Sequence, residues 1–326
     1  MQRHSFKALF FFVVFIAASV IFGAAFETAA PYAKTKLIVI LSSRNVYPYN
    51  AAISGFKDAL NDAGISPKVQ EFDLDGSVEE GHRAIGTAGV DQPDLILAVG
   101  SIAAEVAFNE ADEYPVVFTM VSNPEDGGYT AGLKGSKSNI TGVAFDPPFK
   151  AQLELLKEMI PELAVVGIIY NPGETLKAIG ELKAAANSMG IEVVAVPITS
   201  KAKVPDALSS LRGKCGAILS VSDSTVFTAK SIKYMISYTV KHKIPFAGIS
   251  PRFVSEGALV CISPDYSDVG RQAGEMAVKV LSGTLPSRLT VEHPRKLLIS
   301  MNMRTAASIG LKLSPSVIAK ADELIK

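Results

Sequence analysis

Short apolar runs and stretches of helical periodicity alternate along this chain, and the same order of elements occurs twice. That repetition restricts the fold more than any other feature. "KLIVILSS" is a run apolar enough for a buried strand, and "AAISGFKDALNDAG" follows, with Ile53, Phe56 and Leu60 on one helical face and Gly64 as a stop. The pattern predicts further strands at "SPKVQEFDLDG", "PDLILAVGS" and "YPVVFTMVSNP", and helices over Val78–Ala88 and Ala103–Asn109; "NITGVAFDPP" ends the half. The second half runs through "AVVGIIYNPGE", a helix that again stops at a glycine, "IEVVAVPITS", a helix over Val204–Leu211, "CGAILSVSDST", a long helix, "IPFAGISPRF" and "GALVCISPDY". Buried strands that alternate with helices build a parallel sheet with both faces covered. The predicted fold class is therefore α/β, as two similar Rossmann-like lobes with parallel sheets.

After Asp265 comes a helix with Val269, Met276 and Val280 spaced for burial, then "KLLISMNMRTAASIGLKLSP", which supplies a strand, and a terminal helix. Elements left over after two complete lobes imply that the chain crosses between the lobes more than once, which makes a multi-crossover hinge. The expected division is residues 36–144 plus 265–292 for lobe 1, and residues 145–264 plus 293–326 for lobe 2.

The N-terminus has its own signal. Arg3 and Lys7 precede the uncharged run "ALFFFVVFIAASVIFGAA", and small residues follow, which is the order of a signal peptide over residues 1–30. The same run is long enough to serve as an uncleaved anchor. Export to the periplasm is the expectation. With 32 basic and 32 acidic residues the charge balances, so composition offers nothing to a nucleic acid or an anionic membrane. Two cysteines, Cys215 and Cys261, are too few for a disulfide framework, and His4, His82, His242 and His293 lack metal-ligand spacing. No cofactor is called for.

Ligands of open parallel sheets bind beyond the carboxyl ends of the strands, where helix N-termini present free N–H groups. The first such loop, within "LSSRNVYPYNAAISGF", has no glycine cradle and carries polar and aromatic side chains instead. Arg44 offers a fork for a carboxylate, or else a surface ion pair; Asn45 lies beside it, and Tyr47 and Tyr49 offer flat faces for stacking. Other strand ends contribute Ser101, Ser122 and Asn123, then Asn171, Glu174, Asp223 and Ser224, and Asp265 lies near a crossover. Asn171, Asp223 and Ser224 also suit turns and caps, and Glu174 suits a helix dipole. GxGxxG, P-loop and GxSxG motifs are absent, and no histidine stands beside a nucleophile at a strand end. Catalysis would have to use Glu174, Asp223 and Asp265 as a carboxylate set; a binding protein without chemistry is the simpler expectation.

Segments such as "PYNAAISGFKDALNDAG", "PVVFTMVSNPED", "VGIIYNPGE", "GALVCISPDYSDVGRQAGEMAVKVLSGTLP" and "NMRTAASIGLKLSP" resemble, in order and spacing, the ABC-transporter substrate-binding protein family that includes tryptophan- and tyrosine-type binders. The resemblance covers Lys36 to the C-terminus. It implies a type I periplasmic-binding-protein fold, a small-molecule ligand (an amino acid or small carboxylate first) trapped between the lobes, an ABC permease as partner, and a monomer. It implies the same site residues by position. Two departures bear on the ligand. Thr175, Leu176 and Lys177 follow Glu174 where aromatic-amino-acid members have a small residue and then Asn-Ser, and "SRNVYPYN" stands where they commonly carry a His-Pro pair. A sensor ectodomain is the competing function for the same architecture.

Overall fold

The computed structural model describes residues 35–122, 124, 139–146 and 148–326. The expected signal peptide and Asn123 lie outside them. Two sheets organise the chain. The first is five-stranded, in the order β2-β1-β3-β4-β5, from β1 (Leu37–Ser42), β2 (Lys68–Asp73), β3 (Leu95–Val99), β4 (Val116–Val121) and β5 (Ile140–Ala144). All its pairings are parallel. β1, β3, β4 and β5 are buried along their whole length, as strands covered on both faces must be.

The connecting helices are α1 (Tyr47–Asp62), α2 (Val78–Val90) and α3 (Ser101–Glu110). Ile53, Phe56 and Leu60 of α1 are buried, as their spacing requires.

The second sheet has seven strands in the order β12-β11-β10-β9-β8-β6-β7: β6 (Val165–Tyr170), β7 (Glu192–Pro197), β8 (Ala217–Leu219), β9 (Phe246–Gly248), β10 (Val260–Pro264), β11 (Leu297–Asn302) and β12 (Glu323–Ile325). Its helices are α4 (Phe149–Met159), α5 (Pro172–Ser188), α6 (Val204–Leu211), α7 (Ala229–Lys241) and α8 (Pro251–Glu256). The strand order 7-6-8-9-10 repeats 2-1-3-4-5, so the two halves share one topology. α9 (Tyr266–Leu281), α10 (Met303–Ile309) and α11 (Pro315–Ile318) complete the chain.

Several features depart from the expected pattern, among them α4, which no expected element covered. The chain ends in β12, parallel to β11, where a helix was expected; three residues are too short to carry a periodic signal. β11 runs antiparallel to β10, because the chain re-enters the second sheet from its carboxyl edge. Within "IPFAGISPRF" the strand is confined to Phe246–Gly248, and α8 already begins at Pro251.

The chain passes between the sheets three times. β5 leads through residues 145–148 into α4, which packs on α5 and β10; β10 leads through Asp265 into α9, which packs on α1, β4 and β5. Residues 293–296 then run from Glu292, bridged to Val143 of β5, into β11. All three passages join the carboxyl edges of the two sheets. α9 meets α1 with no space for side chains between them: a Cβ on Gly270 would lie 1.8 Å from the Ala52 carbonyl oxygen, and one on Gly55 1.9 Å from that of Ser267.

Candidate functional site

The first loop is anchored by a serine within it that was not singled out as a contact residue. Ser43 follows β1 directly; its backbone N–H donates to the Val99 carbonyl at 2.9 Å, and its hydroxyl oxygen accepts the Ala103 N–H at 3.0 Å. This ties the loop to the first turn of α3. Gly100 has φ +87 there, and a Cβ on it would meet the Tyr49 hydroxyl at 2.6 Å, so only glycine lets that ring settle. Tyr49 is thereby half-buried, and burial pushes its hydroxyl pKa up against the opposing pull of Arg44. Arg44 lies across the turn at Gly76, exposed, while the Asn50 amide donates to Asn45 Oδ1 at 2.8 Å. Tyr47 points outward, 77% exposed. Ser101 opens α3 and is exposed. Ser122 directly follows β4, just after a register shift where Met120 takes φ +57, a conformation non-glycine residues seldom adopt.

On the second sheet the four named residues form a single hydrogen-bonded cluster. Asn171 caps α5, its side-chain oxygen accepting the Gly173 N–H at 3.1 Å. Its backbone N–H donates to Asp223 Oδ2 at 2.6 Å, and its side-chain amide reaches Glu174 Oε1 and Thr225 Oγ1, both at 3.0 Å. Asp223, 4% exposed, also accepts from the Thr175 hydroxyl at 3.0 Å and the Val226 N–H at 2.9 Å. Glu174 accepts the Ser224 N–H at 2.7 Å, the Thr225 N–H at 3.2 Å and the Thr225 hydroxyl. Burial works to raise the Glu174 pKa, but the donors from Thr225, Asn171 and Ser224 outweigh it and hold the carboxyl down at about 2. Both carboxylates are thus engaged within their own half, binding the start of α5 to the loop after β8.

Asp265 caps α9 through the Ser267 and Asp268 N–H groups, and Lys296 pairs with it at 2.6 Å. Burial opposes ionisation there, and Lys296 with the two N–H donors prevails, so its pKa is lowered.

The passages between the sheets supply residues that no motif had marked. The Tyr266 ring stacks on Phe145 with centroids 6.1 Å apart and planes at 21°, and Tyr47 meets Tyr266 edge-on at 6.4 Å. Three aromatic rings therefore run from the first loop through two of the passages. Next to Phe145, Asp146 Oδ1 accepts the Ser222 hydroxyl at 3.0 Å, which joins the first passage to the loop after β8. The one sequence signal for these residues was position: Phe145 and Tyr266 each directly follow or nearly follow the strand that closes a half. Among the described residues, no group of three His, Cys, Asp or Glu side chains could hold a metal ion. No helix among them is long and apolar enough to cross a membrane.

A family model described as ABC transporter substrate binding protein matches residues 36–325. A tyrosine-binding protein from Clostridioides difficile (strain R20291) is 30% identical over 241 residues, 72% of this chain and 69% of that protein. Among solved structures, the chain resembles a ligand-free, open substrate-binding protein with adhesive properties from Clostridium difficile, at TM-score 0.76 and 26% identity, covering 90% of this chain and 99% of that one. An ABC domain in complex with L-Trp from Streptococcus pneumonia superposes with TM-score 0.67 at 23% identity, over 89% and 100% of the respective chains.

Proposed function

Since the chain belongs to the ABC transporter substrate-binding protein family, we propose that it is the extracytoplasmic solute-binding component of an ABC importer, delivering its ligand to a membrane permease. The ligand is an amino acid with a flat side chain, captured without chemistry. The observation that carries this reading is the run of rings Tyr47, Tyr266 and Phe145 along the passages between the sheets. A flat ligand side chain gains from edge and face contacts with such rings beyond the area it buries. The tyrosine-binding relative and the L-Trp complex support the same class.

Residues 36–144 with 265–292 form one lobe of this device, and residues 145–264 with 293–326 the other. Closure around ligand is a hinge motion in the three passages, and ligand drives it by binding the closed form more tightly. Arg44 takes the ligand carboxylate. Glu174 and Asp223 shape the facing rim through the loop after β8, since their oxygens already have donors. The Asn45, Ser101, Ser122 and Ser224 side chains, with Asn123, offer further polar contacts at the rim; Asn171 holds Glu174 and Thr225 in place there, and Asp265 stands at the second passage.

Titration calorimetry against the twenty amino acids, small carboxylates and sugars tests this. Binding is expected for L-tyrosine, L-tryptophan or L-phenylalanine, and is expected to weaken in Arg44→Ala. Binding confined to a sugar, or to an aliphatic carboxylate, would remove the aromatic assignment.

A further inference from the structure

A balanced total charge conceals two helix layers of opposite sign. Residues 77–114, which include α2 and α3, hold eight Asp and Glu and a single Arg. Residues 199–243, which include α6 and α7, hold eight Lys and Arg and two Asp, of which Asp223 is buried. The two layers are topological equivalents: α2 and α6 follow the edge strands β2 and β7, while α3 and α7 follow β3 and β8.

All eight cations of the second layer are exposed, and none has an ion-pair partner among the described residues. Helix stability does not account for Lys201, Lys203 and Lys230. They stand at the starts of helical segments, where positive charge opposes the dipole. Between Lys201 and Lys230 runs a groove of ≈ 370 Å³ lined by Val204, Pro205 and Tyr234. On the acidic layer, Val90 at the end of α2 is 83% exposed. Each layer thus carries exposed apolar side chains among charges predominantly of one sign, although Arg83 and His82 already pair with Glu80 and Glu110 within the acidic layer; a polar rim around apolar surface is the anatomy of a contact surface.

We propose that the two layers are the halves of one contact, in which the acidic α2–α3 layer of one copy docks on the basic α6–α7 layer of a second copy. The two halves lie on different sheets, so the contact is heterologous and head-to-tail, and assemblies lengthen with concentration. Complementary charge aligns the partners, and a net charge of zero leaves no general repulsion between copies. The inference is independent of the ligand assignment.

The test is sedimentation of the purified protein at about 20 mM and about 1 M salt, conditions that screen exposed charges weakly and strongly. At low salt the weight-average mass is expected to reach roughly twice that of one chain or more, and to return to that of one chain at high salt. Two charge-inverted variants give the decisive comparison. One carries Lys201→Glu, Lys203→Glu, Lys230→Glu and Lys233→Glu; the other carries Glu79→Lys, Glu105→Lys, Asp112→Lys and Glu113→Lys. Every altered side chain is on the surface or at its margin, and circular dichroism confirms that each variant is folded. Each variant alone has two layers whose net charges share one sign and is expected to remain single; mixed together, the unaltered layer of each is expected to dock on that of the other. A wild-type protein that stays single at low salt, or inverted variants that associate on their own, overturns the proposal. So does retention on phosphatidylglycerol vesicles by a protein that remains single, which would assign the basic layer to a membrane surface.

Discussion

Glu174 and Ser224 lie fifty positions apart in the sequence, yet the Glu174 carboxylate accepts the Ser224 backbone N–H at 2.7 Å. With Asn171 and Thr225 this bond fastens the first turn of α5 to the loop after β8. The folded-state pKa of Glu174, about 2, is below its ordinary value of 4.5, so the ionised form favours the fold. Its contribution is complete above pH 4.5 and is lost as pH falls toward 2. Glu174→Ala is expected to cost about 2 kcal/mol near neutrality, from charged hydrogen bonds left unmade, and to flatten the acid limb of the stability curve. Urea unfolding across that pH range measures both effects.

Tyr47 is outward-facing and meets Tyr266 edge-on. Tyr47→Ala should leave folding stability within about 0.5 kcal/mol of wild type, while ligand affinity falls about tenfold. Calorimetric titration of the bound amino acid alongside thermal unfolding separates the two. Equal affinity in the variant would place the ligand away from this ring.

The α1–α9 contact tolerates no added carbon. A Cβ on Gly270 would lie 1.8 Å from backbone oxygen, not from the end of a flexible side chain, so the helices must separate. Gly270→Ala should destabilise by about 3 kcal/mol, the upper part of the usual range for overpacking. Gly86→Ala is the matched control, since nothing lies within 4 Å of the added carbon.

Arg295 clasps α9 with both arms, donating to Asp268 at 3.0 Å and Glu275 at 2.8 Å, while the buried Gln272 side chain accepts the Arg295 N–H at 3.1 Å and donates to the His293 carbonyl at 3.1 Å. The third passage is thereby strapped to α9. Arg295→Ala should lower stability by about 1 kcal/mol at low salt and by less in about 1 M salt, because exposed pairs are screened. Amide exchange across residues 293–296 is expected to accelerate.

The two cysteines should differ in reactivity. Burial pushes the Cys261 thiol up to about 12, and it lies on a covered strand; Cys215 is also raised by burial but is part-exposed. Since the thiolate is the reactive form, a thiol reagent near neutral pH is expected to label Cys215 slowly and Cys261 only after unfolding. Mass spectrometry of the labelled peptides reads the outcome.

Most of the elements, and their order, are legible in the sequence alone. A strand buried on both faces must be apolar throughout, and a helix covering it must be apolar on one side, so β1, β3 and α1 were legible from residues a few positions apart. The same local logic marked the strand-end loops and therefore Arg44, Tyr47, Asn171 and Glu174. Tertiary structure decided what those loops do with their side chains. Glu174 and Asp223 found donors some fifty residues away, and Tyr47, Phe145 and Tyr266 became one series of rings only when separate passages came together. It also decided the direction of β11 and the pairing of β12. Hydrogen bonds, ring contacts and surface charge act through space between residues distant in the chain. Periodicity registers only what neighbouring residues share.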